Sequence, residues 1–405
     1  MIEIIKAGDI SRAVTVAYVD KSRALAGAER SLCELTKHLD KTRFHAVVVA
    51  DYPLPHHSVY QRFGAEVRCR TTELKWWMGT DRWHRPLRGT DVIKRAILAR
   101  QLRHVMAACD SRILHVNLLS QDSWVDLAAA RRAGVRTVGH VRSLSRQRHI
   151  GNLSLELCDN VICISEFVAR EIAELVDNCK IQKIYNPVAV VETIGLDERN
   201  SARHELDLKA EDTVISSVAM LDPRKGHDVA IMAFARLARK YPYAVLLIVG
   251  GTYNDRENTE QARLQKIALD AGVGSRVVFS GYVAEMRKVY AASDIVLALS
   301  KDGEAFGRIP LEAAAHGRVA IATTVGATPE LVRDGITGYC VPPNDPDAVT
   351  VSCELVLKDV DLARRIGSTG REHVALQFHP DTIARQVENV YEHLLELKKA
   401  KSHFH

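Results

Sequence analysis

DGEAFGRIPLEAAAHG, residues 302–317, sets two carboxylates, Glu304 and Glu312, on either side of a Gly-containing turn at Phe306-Gly307. Pro310 suits the first turn of a helix, where its missing N–H would have no intrahelical partner, and Gly317 suits the position just past a helix end. The spacing therefore puts Glu304 in a loop and Glu312 on the first turn of a short, Ala-rich, buried helix. Backbone N–H groups of Ala305, Phe306 and Gly307 would then stand bare at a helix N-terminus, where an anion is favoured. One reading of the two acids is a solvated loop residue and a helix-start residue that complements the dipole. The other is a pair of carboxylates gripping the hydroxyls of a ligand whose phosphate sits on the bare N–H groups, as a nucleotide sugar would.

Outward from this stretch the chain alternates β-rich runs with helical patterns. On its N-terminal side, residues 213–219 read as a strand that ends in the turn Ala219-Met220-Leu221-Asp222-Pro223-Arg224-Lys225-Gly226. A helix follows with Val229, Ala233 and Leu237 at four-residue spacing. Strand 244–250 ends in Gly250-Gly251, strand 276–279 leads to Gly281-Tyr282-Val283, and residues 295–299 enter the acidic stretch. Past Asp345 only helices are expected, to about residue 397. Further upstream, strands are expected over 14–20, 44–51, 66–69, 113–117, 137–142 and 161–165, with helices between them. A helix is expected to open at Gly27-Ala28-Glu29-Arg30, and His140 falls at a strand end, where ligands collect in open α/β sheets. Residues 188–210, charged and aperiodic, read as a linker. Two α/β blocks without an internal repeat point to two Rossmann-like domains.

The pattern Glu304-x7-Glu312 continues through His316-Gly317, Val325-Gly326, Pro329-Glu330-Leu331-Val332, Asp334-Gly335 and Gly338-Tyr339-Cys340-Val341-Pro342. This run resembles the signature of the family 4 retaining glycosyltransferases, whose fold is GT-B. The resemblance implies an α/β protein with two Rossmann-like domains facing across a cleft. Residues 1–190 would be an acceptor-binding domain, 191–210 a linker and 211–378 a nucleotide-sugar-binding domain. Residues 379–405 would be a helix returning to the first domain, then a tail. The implied reaction moves a hexosyl unit from a nucleotide-diphosphate sugar, UDP- or GDP-linked, to an acceptor hydroxyl with retention. The implied route is front-face attack without an obligatory protein nucleophile, a metal or another cofactor.

Carried over residue by residue, the resemblance puts Glu304 beside the reacting sugar, Glu312 on the ribose diol and Lys225 on the diphosphate. Ala305, Phe306 and Gly307 would supply N–H groups, and Tyr282 and Val283 would lie near the base. Gly27 would stand close to the phosphates and sugar, and His140 would contact the donor sugar and line the reaction centre. Two departures matter. Met220 stands where the family has an arginine, so Arg224, four positions on, is the candidate to supply the missing charge. Asn186-Pro187 stands where the family has Asn-Gly.

The whole chain, 405 residues with 47% hydrophobic and 26% charged content, has the composition of a globular protein of two domains. MIEIIKAGDI lacks the basic start and apolar core of a signal peptide, and no apolar run approaches a membrane span. Eight cysteines without a CxxC pair read as reduced thiols, so a cytoplasmic protein without a structural metal is expected. The net charge of +5 is uneven: from Arg68 to Arg148 there are 17 Lys and Arg against 6 Asp and Glu. Trp76, Trp77 and Trp83 stand among Lys75, Arg82, Arg85 and Arg88. A basic, aromatic stretch of this kind serves an anionic membrane surface, stacks on a sugar, or fills a domain edge. The expected partners are thus the donor, a glycan, lipid-linked or small-molecule acceptor, and the inner face of a membrane. No nucleic-acid motif accompanies the charge. A nucleotide-sugar epimerase of the same fold and a non-catalytic nucleotide-sugar binder remain as alternatives.

Overall fold

The computed structural model describes residues 13–21, 27–51, 57–62, 64–69, 89–144, 152–251 and 257–402. Trp76, Trp77, Trp83 and their neighbouring cations lie outside the described residues. The chain forms two compact units, Met1–Pro187 with Pro380–His405, and Val188–His379.

The first unit is a parallel sheet of β1 (Val14–Asp20), β2 (Phe44–Ala50), β3 (Glu66–Cys69), β4 (Ser111–Val116), β5 (Arg136–Val141), β6 (Asn160–Cys163) and β7 (Ile181–Lys183). Their order is β3-β2-β1-β4-β5-β6-β7. Sheets covered on both faces need strands that are apolar throughout, and the runs VTVAYVD and FHAVVVA are of that kind. One face of the sheet, with Val16, Tyr18, Val48, Ile113, Val138 and Ile162, packs against Leu32 and Leu35 of helix Gly27–His38. The same core takes in Ile383, Val387, Tyr391 and Leu394 of the C-terminal helix Pro380–Ser402. Glu388 of that helix, 3% exposed, accepts the Asp40 backbone N–H at 2.7 Å. Lys401 and Ser402, expected in the tail beyond the last helix, still belong to this helix.

The second unit is a parallel sheet of β8 (Thr213–Val218), β9 (Ala244–Val249), β10 (Val277–Gly281), β11 (Ile295–Ala298), β12 (Val319–Thr323) and β13 (Tyr339–Val341). The order is β10-β9-β8-β11-β12-β13. Side chains alternate between two cores, as a strand period of two requires. Ile215, Leu246, Ile248, Leu297 and Ile321 face helix His227–Leu237. Val214, Leu247, Val249, Val296 and Ala320 face the opposite way.

Residues 191–210, expected as a linker, contain the helix Leu196–Glu205 and belong to the second unit. The stretch looked like a linker because its charges suggested solvent, but two of them are structural. Arg199 and Arg203 both bind Asp294 (2.5 and 2.9 Å), Arg203 is 2% exposed, and Ala202, Leu206 and Leu208 enter the core.

Candidate active site

In each sheet the strand order reverses beside the first strand of the unit, between β1 and β4 and between β8 and β11. Loops leaving the carboxyl ends of two such strands diverge to opposite sides and open a crevice, the usual ligand site of open α/β sheets. In the second unit these loops are 219–226 after β8 and 299–307 after β11. They carry Arg224, Lys225 and Glu304.

Two glycines fix the geometry. Gly226 has φ +74°, and a Cβ there would fall 2.0 Å from the Leu299 carbonyl oxygen, so no other residue lets the β8 loop press so closely on β11. The Lys301 N–H donates to the Arg224 carbonyl at 2.7 Å and ties the loops together. Gly326 has φ +59°, and a Cβ there would lie 2.1 Å from the Glu304 carbonyl oxygen. The next N–H, from Ala327, donates to that oxygen at 2.9 Å. The turn after β12 thus cradles the backbone of Glu304.

On this scaffold Lys225 Nζ donates to Glu304 Oε2 at 2.6 Å, and the Ser300 hydroxyl donates to the same oxygen at 3.1 Å. Lys225 and Glu304 are partly exposed (24% and 29%) and so open to a ligand. An ammonium has three donors and a carboxylate about four lone-pair sites, so both partners keep capacity for a ligand.

Glu312 lies in the second turn of helix Arg308–Ala315 rather than the first. The helix begins two residues before Pro310, because Gly307, in the left-handed region, serves as its N-cap. Both Glu312 oxygens are already held: Tyr290 Oη donates to Oε2 at 2.8 Å and Arg308 Nε to Oε1 at 2.9 Å. A cation on the first residue of a helix opposes the dipole, so this pair adds little helix stability and instead orients the carboxylate. Behind it the His316 ring lies on Tyr290, centroids 4.7 Å apart, and its Nδ1 is 2.7 Å from the Glu312 carbonyl oxygen.

Other expected residues are placed less simply. Phe306 turns inward, 3% exposed, with its ring edge-on to Phe378 at 6.2 Å, and neither Ala305 nor Phe306 is without a partner within the fold. Arg224 folds onto Asp222, donating from Nε at 2.9 Å and Nη2 at 2.6 Å, and this pair holds the Asp222 carboxyl below its usual range. Met220 is 37% exposed. Its carbonyl lies 3.2 Å from Nε2 of His227, a buried residue whose Nδ1 is 2.8 Å from Ser217 Oγ. Tyr282 is 70% exposed past the end of β10, and Val283 packs on the core beside it.

Gly27 and His140 belong to the first unit. Gly27 opens its helix and its carbonyl accepts the Ser31 hydroxyl at 2.8 Å. His140, near the carboxyl end of β5, is 2% exposed; its Nδ1 is 3.0 Å from His115 Nε2, and its own Nε2 is buried without a partner among the described residues. Two positions on, Arg142 is buried, donating from Nε to Asn117 Oδ1 at 2.9 Å and from Nη1 to Asn186. Burial and the Arg142 charge push His115 down to about 3 and hold His140 well below the usual histidine range.

Several of these partners were not singled out from the sequence. Ser300 gave a signal only as a hydroxyl at a strand end, and Tyr290 and Arg308 only as residues on the helices next to Glu312. His115 and Tyr391 gave none, because their contact spans 276 positions. Asn186 was noticed only as the neighbour of Pro187, which departs from the family's Gly, and its amide oxygen accepts from Arg142 Nη1.

A family model described as "Glycosyl transferases group 1" matches residues 198–373, and one described as "Glycosyltransferase Family 4" matches residues 25–191. The chain is 29% identical over 245 residues to the N-acetyl-alpha-D-glucosaminyl L-malate synthase of Bacillus anthracis, 58% of this chain and 60% of that protein. It is 33% identical over 198 residues to the GDP-mannose-dependent alpha-(1-6)-phosphatidylinositol monomannoside mannosyltransferase of Mycobacterium tuberculosis, 46% of this chain and 50% of that protein. The matched stretch thus spans only half to three-fifths of these curated relatives. Among solved structures, that of Anabaena Alr3699/HepE in complex with UDP and glucose superposes with a TM-score of 0.78 at 21% identity, covering 93% of this chain and 99% of that one. The likeness shows a common GT-B fold.

Proposed function

The chain belongs to the group 1, family 4 glycosyltransferases, and from that premise we propose that it moves a sugar from a nucleoside diphosphate to an acceptor hydroxyl with retention at the anomeric carbon. The observation that carries this reading is the Lys225–Glu304–Ser300 cluster at the switch point of the second sheet, with the two-handed clamp on Glu312 in the same unit. Glu312, with both oxygens oriented, accepts the two hydroxyls of the ribose on its remaining lone pairs. Lys225 stabilises the charge that grows on the leaving diphosphate, and such preorganised charge is usually the largest catalytic term. Glu304 holds a hydroxyl of the donor sugar. The bond from the anomeric carbon to the phosphate oxygen breaks, the acceptor oxygen bonds to the same face of that carbon, and the acceptor proton passes to the leaving phosphate. No side chain becomes covalently attached. UDP and GDP are the nucleotides favoured by the names of the similar proteins.

Transfer is tested by nucleoside diphosphate release from UDP- and GDP-sugars with and without candidate lipid, glycan and small acceptors. Release that requires an acceptor, with a glycosylated product, is expected. Equal release without acceptor would favour an epimerase-type reaction, and binding without release a non-catalytic module.

We further propose a lipid-linked acceptor met at an anionic membrane surface. No described helix is long and apolar enough to cross a membrane. Helix Gly89–Ala108 of the first unit does, however, expose Ile93 (62%) and Ile97 (40%) together with Arg100, Arg103 and His104, spaced along one helical face. Apolar side chains for insertion and cations beside them suit an interfacial helix. Co-sedimentation with anionic but not neutral vesicles, weakening with salt, is expected. A protein that stays in the supernatant with anionic vesicles at low salt would remove the membrane from the reading.

A further inference from the structure

Three adjacent strands and the C-terminal helix bring a line of four polar rings into the first unit. Tyr18 on β1 is the cross-strand partner of His115 on β4, and β5 alongside carries His140. Tyr391 reaches them from helix Pro380–Ser402. Tyr18 Oη is 2.9 Å from Tyr391 Oη, which is 2.6 Å from His115 Nδ1, and His115 Nε2 is 3.0 Å from His140 Nδ1. All four side chains are at most 2% exposed. His140 Nε2 ends the line without a partner among the described residues.

We propose that this line is a one-way hydrogen-bond chain that fixes His140 as the tautomer with a bare Nδ1 and a protonated Nε2, so that His140 can only donate to its ligand. Both histidines are neutral, as burial beside Arg142 requires, so each shared contact has one donor and one acceptor. His115 therefore either accepts from Tyr391 and donates to His140, or accepts from His140 and donates to Tyr391. The second arrangement, run away from His140, would leave a phenol O–H, that of Tyr18 or of Tyr391, with no acceptor among the described residues, sealed in the core where no ligand can supply one. A buried donor left unpaired is the costly case, whereas a phenol oxygen that donates and keeps a spare lone pair is not. Run toward His140, Tyr18 donates to Tyr391, Tyr391 to His115 Nδ1, and His115 Nε2–H to His140 Nδ1. The one unpaired donor is then His140 Nε2–H, which is also buried but lies near the carboxyl end of β5, where water or a ligand of such sheets can reach it, as neither can reach the phenols in the core.

The consequence is specific. His140 meets an oxygen that accepts, such as a sugar hydroxyl oxygen or an anionic oxygen, and it is not a base for the acceptor proton. Tyr391, His115 and Tyr18 are positioning residues, set in part by a helix almost at the end of the chain. Only the identity of that oxygen as part of a donor sugar rests on the glycosyltransferase reading.

The test is the tautomer itself, in protein labelled with 15N at histidine, without ligand and near neutral pH. Long-range 1H–15N correlation distinguishes protonated from bare ring nitrogens, and His140→Gln identifies the His140 signals by their loss. In the wild type a single species with bare Nδ1 and protonated Nε2 is expected. Tyr18→Phe should keep it, because Tyr391 O–H still needs His115 Nδ1 as its acceptor. Tyr391→Phe cuts the chain and should populate both tautomers. If half the molecules then present a donor, the apparent KM for the nucleotide sugar rises about twofold at unchanged kcat. A wild-type His140 protonated at Nδ1 overturns the proposal, and so does an unmixed tautomer in a folded Tyr391→Phe protein. The wild-type spectrum decides even if that variant fails to fold. Since no donor is present, the expected tautomer in a protein that turns over no nucleotide sugar would sink the transferase reading alone.

Discussion

Glu312 and Glu304 are the same residue type in two differently built places, and their substitutions should separate. Tyr290 and Arg308 hold Glu312 on both oxygens, so the proposed contact to a ribose would be made equally in ground and transition states. Glu312→Ala should raise the donor KM with little change in kcat. Tyr290→Phe, which frees one oxygen, should do the same to a smaller degree. Glu304→Gln keeps the shape but loses the charge that pairs with Lys225 at 2.6 Å, and should mainly lower kcat, at a cost of about 1.5–3 kcal/mol. Steady-state kinetics of the three variants checks the split; near-wild-type values for both acids would remove them from the site. At Met220 the sequence showed a missing charge and could not show a substitute. Arg224 is presented on the right loop, but with its guanidinium on Asp222. Arg224→Ala is expected to weaken binding of a nucleoside diphosphate well beyond that of the nucleoside, measured by calorimetry. Equal losses would assign Arg224 to holding the turn.

The elements that matter most are loops, held by close backbone approaches. Helix Arg308–Ala315 and β11 before it were legible because an Ala-rich run after Pro and a short apolar run have few other readings, whereas β12 (Val319–Thr323) was not expected. The role of Gly226 and Gly326 was not, since a glycine in a sequence gives no hint of which carbonyl it will face. Gly226→Ala must push against the Leu299 carbonyl at a positive φ, where alanine is strained. It should lower stability by about 1 kcal/mol or more and displace Lys225, seen as a lower Tm together with weaker diphosphate binding. An unchanged Tm would mean that the β8 loop has room it does not show. Helix Leu196–Glu205 was missed for a related reason: Arg199 and Arg203 read as solvated charges until Asp294, about ninety residues away, is placed between them.

At the scale of the molecule, two parallel sheets were legible from the order of apolar runs, while buried polar contacts between distant elements were not. These contacts have a pH signature. His115, pushed down to about 3 by burial, takes up a proton less readily in the folded than in the unfolded chain, whose histidines titrate near about 6.5. The unfolded state therefore binds more protons below that value. The stabilisation is complete above about pH 6.5 and falls by about 1.4 kcal/mol per pH unit as pH drops toward the folded value. His140, held down in the same way, adds to the slope. Denaturant unfolding between pH 7.5 and 5.5 should show this loss, and His115→Gln should flatten it; a stability independent of pH in that window would mean that these rings are not buried neutral.

The reading as a nucleotide-sugar enzyme stands or falls on whether the second unit binds such a donor through Glu312. Thermal unfolding of the wild type and of Glu312→Ala with UDP-, GDP-, ADP- and TDP-linked sugars measures this directly. A ligand at about 100 times its Kd stabilises the folded state by about 2.7 kcal/mol. For a chain of this size that is a rise in Tm of several degrees. At least one donor should raise the wild-type Tm, and the rise should be lost in Glu312→Ala. No shift with any of them, or an equal shift in the variant, would contradict it.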